Sequence, residues 1–177
     1  MDERLLKRLE TVYNLEDGRE VVFRPLKPKK DVDMLYQFYS TLSKEKNYLR
    51  FMNYRKVTRW IVEDWANIDY YQSMSLVAVL GNGESFKIIA DSRYFVDKTT
   101  GAAEVAIVVH NDWQRKGIGT NLIKYTIKVA KEMGVKKLFA YVSPENRKII
   151  RLGKKLGFTP KWYPDMGYYG GELILNQ

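Results

Sequence analysis

The run Gln114-Arg115-Lys116-Gly117-Ile118-Gly119 is the segment best equipped for chemistry. It stands between an apolar β-type run, Ala102–Val109, and a helical pattern that starts at Gly117. The first turn of a helix leaves about four backbone N–H groups unpaired and carries partial positive charge. Two glycines remove the β-carbons that would keep a ligand away from those groups. Together these features make a cradle for a phosphate or diphosphate. The alternative is a tight strand-to-helix turn that uses glycine for geometry alone. Other phosphate motifs fit less well. A dinucleotide fingerprint needs a third glycine where Leu122 stands, and a P-loop needs a Gly-Lys-Ser/Thr triplet that the chain lacks.

Composition removes several other chemistries. The chain has no cysteine, which excludes a thiolate nucleophile, a disulfide scaffold and a thiolate metal site. Its single histidine, His110, excludes a multi-histidine metal centre, so no metal is expected. His110 follows the Ala102–Val109 run, and its near-neutral pKa gives it a minor case for catalysis against an ordinary surface role. Net charge is +9. From Arg115 to Lys161 there are 13 basic residues against Glu132 and Glu145, a net of +11, and the rest of the chain nets −2. An anionic ligand docked on that stretch gains from the field. Nucleic acid is the alternative partner for the same charge.

The elements that must hold this loop are readable from periodicity. Arg4–Leu9 starts a short helix. Asp17-Gly18 between Thr11–Leu15 and Glu20–Pro25 is hairpin chemistry. Lys30–Ser43, Lys44–Met52 and Thr58–Asn67 have helical spacing, the last with Trp60 and Trp65 on one face. Ser75–Leu80, Phe86–Val96 and Ala102–Val109 read as an antiparallel meander, with turns at Gly81-Asn82-Gly83 and Lys98-Thr99-Thr100-Gly101. Gly117–Met133 is an amphipathic helix that Gly134 stops. Leu138–Val142 is a strand, so residues 102–142 form a parallel strand–helix–strand crossover. Ser143-Pro144 starts a last helix that ends at Gly157. Phe158–Trp162 and Glu172–Leu175 are final strands, joined by the Tyr- and Gly-rich 162–171 segment as a turn or loop. The expected fold is α/β or α+β, with a mixed, mostly antiparallel sheet of six to seven strands flanked by helices. At 177 residues, with 45% apolar residues, the chain is long enough for a single domain over 1–177, in which 1–20 is a hairpin and helix extension. No apolar run approaches the ~18 residues of a membrane helix, and no signal core follows Met1, so no membrane and a cytoplasmic location are expected.

Gln-x-x-Gly-x-Gly after an apolar strand resembles the acyl-CoA signature of the GNAT acetyltransferase superfamily. Wider similarity is to the GNAT domain of Pat-type protein lysine acetyltransferases. It is carried by Ala103 through Val109, Asp112-Trp113-Gln114, Tyr48-Leu49-Arg50-Phe51, Asp69-Tyr70, Leu76-Val77-Ala78-Val79, Arg93-Tyr94, and Glu145-Asn146 through Leu156-Gly157-Phe158. The resemblance implies a cleft where the strands Ala102–Val109 and Leu138–Val142 splay apart around acetyl-CoA. Backbone groups at Ile107 and Val109, with Val108 between them, would meet the pantetheine amides. Gln114, Arg115, Lys116, Gly117, Ile118, Gly119 and Thr120 would hold the pyrophosphate, and Asn146 would lie near the pantetheine arm. Lys116, Arg151 and Lys154 are partners for the outer phosphates on charge alone.

Acetyl transfer to an amine requires the neutral amine, because a lysine has a reference pKa of ~10.4. Glu104, the only charge inside its strand, stands where the resemblance implies the general base, and burial beside the cleft would raise its pKa. The alternative is an ion pair between Glu104 and a neighbour such as Arg93. A backbone N–H near Val109 is the candidate for the oxyanion. The family's tyrosine acid would follow Leu152, where this chain has Gly153; Tyr163, Tyr168 and Tyr169 are substitutes that the sequence does not place. Asp91 is either part of an amine site or the partner of Arg93. Glu63, Asp64, Asp69 and Asp165 are available to line an acceptor site. The leading reading is a protein lysine acetyltransferase, monomeric or homodimeric. The others are an acetyltransferase for a small amine (polyamine, amino sugar or amino acid), a non-catalytic acyl-CoA-binding module and a nucleic-acid-binding protein.

Overall fold

The computed structural model describes residues 3–52, 56–81 and 86–175. Its strands form one eight-stranded sheet in the order β1-β2-β3-β4-β5-β6-β8-β7. All neighbours are antiparallel except β5 and β6. The α+β class and the mixed sheet agree with the sequence, which undercounts the strands by one or two.

A short helix α1 (Glu3–Arg8) leads into the hairpin β1 (Thr11–Asn14) and β2 (Glu20–Pro25). Gly18 takes φ 82° in the turn between them, as an Asp-Gly hairpin requires. Three helices follow: α2 (Val32–Ser40), α3 (Lys44–Phe51) and α4 (Arg59–Ala66). Ser43 caps α3 by accepting from the Lys46 N–H at 3.3 Å. In α4, Ile61, Val62 and Ala66 are buried, while Trp60 is 67% exposed. Trp60 and Trp65 therefore do not share a face. Five positions at about 100° each leave them roughly 140° apart around the helix.

The meander β3 (Ser73–Leu80), β4 (Lys87–Val96) and β5 (Ala102–Val109) forms as expected. Of the predicted Gly81-Asn82-Gly83 turn, residues 82 and 83 lie outside the described residues. A 3-10 turn (Asn111–Trp113), then α5 (Ile118–Glu132), return the chain to β6 (Lys137–Val142), parallel to β5. The last helix, α6 (Arg147–Lys155), starts later than Ser143-Pro144 suggests. Ser143 closes a turn instead. Its carbonyl accepts from Asn146 at 2.9 Å and its hydroxyl from Glu145 at 3.3 Å. Asn146 is the cap, accepting from Ile149 N–H at 3.4 Å. The segment 162–171 is mostly strand: β7 (Thr159–Tyr163) and β8 (Tyr168–Ile174) make a hairpin around residues 164–167. Aromatic residues favour strands, and Trp162 and Tyr169, as cross-strand partners, meet with ring centroids 4.8 Å apart and planes tilted by 52°.

The helices divide the sheet faces. Helix α5 packs on β3, β4 and β5 from one side, where Thr126 donates to Ser92 at 2.8 Å. Helix α2 packs on β4 from the other, where Tyr39 donates to Asp91 at 2.5 Å. The core is continuous across β2 to β5, with Leu76, Val77, Ala78, Ala90 and Tyr94 all fully buried.

Candidate active site

The site begins with a missing row of sheet hydrogen bonds. β5 pairs with β4 along its whole length, from Ala103 to Val109. With β6 it pairs only at Ala102, Ala103 and Glu104. β6 in turn stays paired with β8 up to Val142. Each strand therefore keeps its outer neighbour while the two diverge after Glu104. Backbone alternation decides which groups face the gap. His110 N–H donates to Ile89 C=O and Asp97 N–H to Ala102 C=O. These bonds put the even-numbered residues of β5 in the pairs that exchange hydrogen bonds with β4. The odd-numbered residues point their backbone groups at β6, and past Glu104 there is no β6 rung to meet them. Ile107 thus offers both N–H and C=O to the gap. Val109 offers its N–H, while its C=O accepts from the Gln114 side chain at 3.3 Å. Val108 turns its backbone toward β4 and contributes only surface.

The loop after β5 supplies the second half. Arg115 adopts φ 61° and Gly117 φ 75°, and the double turn aims the start of α5 back at the gap. The first hydrogen bond of that helix is Asn121 N–H to Gly117 C=O at 3.0 Å. No side chain caps the helix. Among the described residues, the N–H groups of 115 to 120 therefore donate to no other protein group. Six such amides at a helix start have the chemistry of a diphosphate cradle. The glycines fit it. A β-carbon on Gly119 would stand 3.2 Å from Val109 Cγ2, and one on Gly117 would stand 2.4 Å from Tyr13 Oη.

Two cavities meet in the gap. The one on the loop side is about 280 Å³ and touches Ile107, Val109, Gln114, Gly117 and Thr120. The other lies against β6, α6 and β8, where Ala140, Gly153 and Tyr169 line it. Asn146 lines both. The positive stretch surrounds the loop: Arg115, Lys116 and Lys148 line one depression, and Lys124, Lys148, Arg151 and Lys155 another. Lys154 lies on the far cavity instead. Sequence reasoning missed Lys148 and Lys46, which also line the loop-side cavity. Lys148 follows the Asn146 cap by two positions, which is a readable signal. The docking of α3 is tertiary and left none for Lys46.

Glu104 occupies the last rung before the strands part, opposite Phe139. It is exposed, not buried as expected, at the point where β5 and β6 stop pairing. Its alternative partner is taken. Arg93 is buried and binds Asp91 at 2.7 and 2.9 Å, which also settles the role of Asp91. Burial pushes the Asp91 carboxyl up, but the Arg93 charge and hydrogen bonds from Tyr39 and Ser75 outweigh it and hold the group below its ordinary value. Tyr39 is pushed up to about 12 by burial and the Asp91 charge. Glu104 itself has no ion-pair partner among the described residues. Of the three candidate tyrosines, Tyr169 alone lines the cavities. Glu63 pairs with Arg59 at 3.0 Å, and Asp69 accepts from the 71–73 amides, so neither faces the gap. His110 caps the 3-10 turn by accepting from Asp112 N–H at 3.4 Å.

Comparison with known proteins identifies the architecture. The model of the GNAT acetyltransferase domain matches residues 20–159. Acetyltransferase PA5475 of Pseudomonas aeruginosa is 30% identical over 155 residues, 87% of this chain and 83% of that protein. This chain belongs to the GNAT acetyltransferase family. Acetyltransferase Pat of Mycolicibacterium smegmatis is 32% identical over 141 residues, and the chain spans 41% of its length. The crystal structure of the GNAT domain of S. lividans PAT superposes with a TM-score of 0.85 at 27% identity, covering 95% of this chain and 98% of that one. Among the described residues, no helix of this acetyltransferase is long and apolar enough to cross a membrane.

Proposed function

We propose that this GNAT protein transfers the acetyl group of acetyl-CoA to the side-chain amine of a protein lysine, with Glu104 as general base. One observation carries the reading: the unpaired edge of β5 at Ile107 and Val109 runs directly into the unbonded amides of 115 to 120. A chain with amides at one end and a diphosphate at the other fits that track, and acetyl-CoA, the donor its family uses, is such a molecule. Bound there, it supplies an activated thioester. The residues present fit it. Ile107 and Val109 pair with its amides as an added strand would, residues 115 to 120 donate to its pyrophosphate, and Lys116, Lys148 and Arg151 neutralise phosphate charge. Asn146 holds the start of α6 against the pantetheine channel.

Glu104 acts at the point where the gap opens, on the sheet face that α2 also covers. Its carboxylate takes the proton of an incoming ammonium, directly or through one water. The backbone N–H groups of Ile107 and Val109 face the gap and are the donors available for the acyl oxygen. A lysine acceptor is supported by likeness to the PAT and Pat proteins over most of the chain. The same site on a single polypeptide is compatible with a monomer or a homodimer.

The test is calorimetry and a mass-shift assay on one preparation. Acetyl-CoA binds the wild-type protein and Glu104→Gln with the same affinity. Turnover on lysine peptides falls by about 10²–10⁴-fold in the variant. Acetylation of a free-amine panel with no peptide acetylated would replace the lysine assignment by a small-amine one. Binding with no turnover on any amine would leave an acyl-CoA-binding module.

A further inference from the structure

Six residues line both cavities: Leu49, Arg50, Ile107, Asn146, Ile149 and Leu152. They mark the junction between the loop-side channel and the chamber beyond the gap. Arg50 is the only one of the six that carries a charge. Its Nε is buried and has no hydrogen-bond partner. Among the described residues no carboxylate pairs with its guanidinium, which lies over the Phe51 ring at 5.0 Å. Its charge reaches the buried Asp91, which is already held by Arg93, Tyr39 and Ser75. A buried N–H donor without a partner is costly, and an anion at the junction would complete it.

The reaction makes such an anion at that junction. As the amine nitrogen bonds to the acyl carbon, the C–S bond breaks and its electron pair stays on sulfur. The proton that Glu104 took from the ammonium has by then passed to solvent, and the second proton, lost as the nitrogen bonds, leaves to the exposed Glu104 carboxylate. On the acetyl-CoA site proposed above, the sulfur falls at the junction where the loop-side channel meets the second cavity. We propose that Arg50 is a catalytic residue that stabilises the departing CoA thiolate by charge, so that the step needs no proton donor on α6, where Gly153 lines the chamber. The thiolate is protonated from solvent after CoA is released. This role rests on the acetyl-CoA site argued above. The other charged or titratable groups along the two cavities are Lys46, Arg115, Lys148 and Lys154, with Tyr141 and Tyr169, and none lines both.

The test reads the thiol of bound CoA in the absence of any acceptor. CoA is bound to the wild-type protein, Arg50→Gln and Arg50→Lys, and thiolate absorbance is followed against pH. An opposite charge within a few ångströms moves a titration by about 1–3 units. In the wild-type complex the thiol is expected to titrate at least about one unit below free CoA, a tenfold gain in thiolate. Arg50→Gln returns it to the free value, and Arg50→Lys lies between. With peptide and acetyl-CoA, Arg50→Gln lowers kcat by about tenfold while KM for acetyl-CoA changes less than about twofold. CoA that binds both proteins with the same thiol titration overturns the proposal and leaves the acetyl-CoA site intact. Failure of CoA to bind the wild-type protein overturns both.

Discussion

The loop that opens α5 leans on the N-terminal hairpin, and that contact can be measured. Gly117 has φ 75°, and a β-carbon there would stand 2.4 Å from Tyr13 Oη. Gly117→Ala therefore carries two costs. A left-handed backbone costs an L-residue about 1–2 kcal/mol. The overlap adds about 1–3 kcal/mol, as overpacking does, because Tyr13 is not free to swing away. Its ring stacks on Phe23 at 5.6 Å and its hydroxyl donates to Lys116 C=O at 3.3 Å. Removing that hydroxyl relieves the second cost alone. The next Tyr13 atom, Cζ, lies 3.5 Å from the same β-carbon, an ordinary contact. Tyr13→Phe by itself loses one long surface hydrogen bond, at most about 1 kcal/mol. Gly117→Ala should thus lose about 2–5 kcal/mol, and Tyr13→Phe/Gly117→Ala should recover about 1–3 kcal/mol of it. Urea unfolding of the four proteins gives the coupling. Acetyl-CoA calorimetry on the same set should show weaker binding in Gly117→Ala and partial recovery in the double variant. Additivity within about 0.5 kcal/mol would refute the idea that Tyr13 buttresses the loop.

Asp91→Asn leaves the buried Arg93 guanidinium without its counter-charge and should cost about 3–5 kcal/mol in denaturant unfolding; a loss under about 1 kcal/mol would show that Tyr39 and Ser75 hold Arg93 in place indirectly. The same network sets a pH window. Because the Asp91 carboxyl lies below its ordinary value in the folded protein, its contribution is complete above the unfolded pKa of about 3.9 and is lost as pH falls through the lower folded value. On the alkaline side the unfolded chain releases the Tyr39 proton near pH 10, whereas the folded protein holds it to about 12. Stability should therefore fall as pH climbs through that interval, and Tyr39→Phe should flatten the decline in pH-dependent urea titrations. Gly153 lies inside α6 with φ outside the left-handed region, and an added β-carbon meets Phe158 Cβ at 3.7 Å. Gly153→Ala should raise stability by about 0.5–1 kcal/mol, and a lowered Tm would mean that the chamber wall needs the smaller residue.

Much of the fold is local and was legible as such. Asp17-Gly18 named the first hairpin, the 3.6-residue period with Gly134 bounded α5, and apolar runs with turn residues between them marked β3 to β5. Errors came where partners outweigh local signals. Ser143-Pro144 has the residues of a helix start, yet the Ser143 hydroxyl and carbonyl close a turn and Asn146 takes the cap. The 162–171 segment has loop composition, yet Gly170 and Gly171 pair with Tyr141 and Ala140 along the edge of β6 that faces away from β5. Trp60 and Trp65 look equivalent on paper and differ in burial because α4 has one inward face.

The sequence by itself determined where the glycine-bearing strand-to-helix loop falls. Left-handed turns and close approaches favour glycine, so Gly117 and Gly119 stand out without knowledge of any neighbour, even though Arg115 takes φ 61° in the same loop. Tertiary structure alone decided what the loop faces. Whether strands stay paired depends on residues far apart in the chain, and nothing local says that β5 and β6 stop bonding after Glu104. It was likewise the docking of α2 and β4 that gave Arg93 to Asp91 and left Glu104 exposed at the mouth of the gap. The placement of α3, recorded in no periodicity, set Arg50 at the junction of the two cavities.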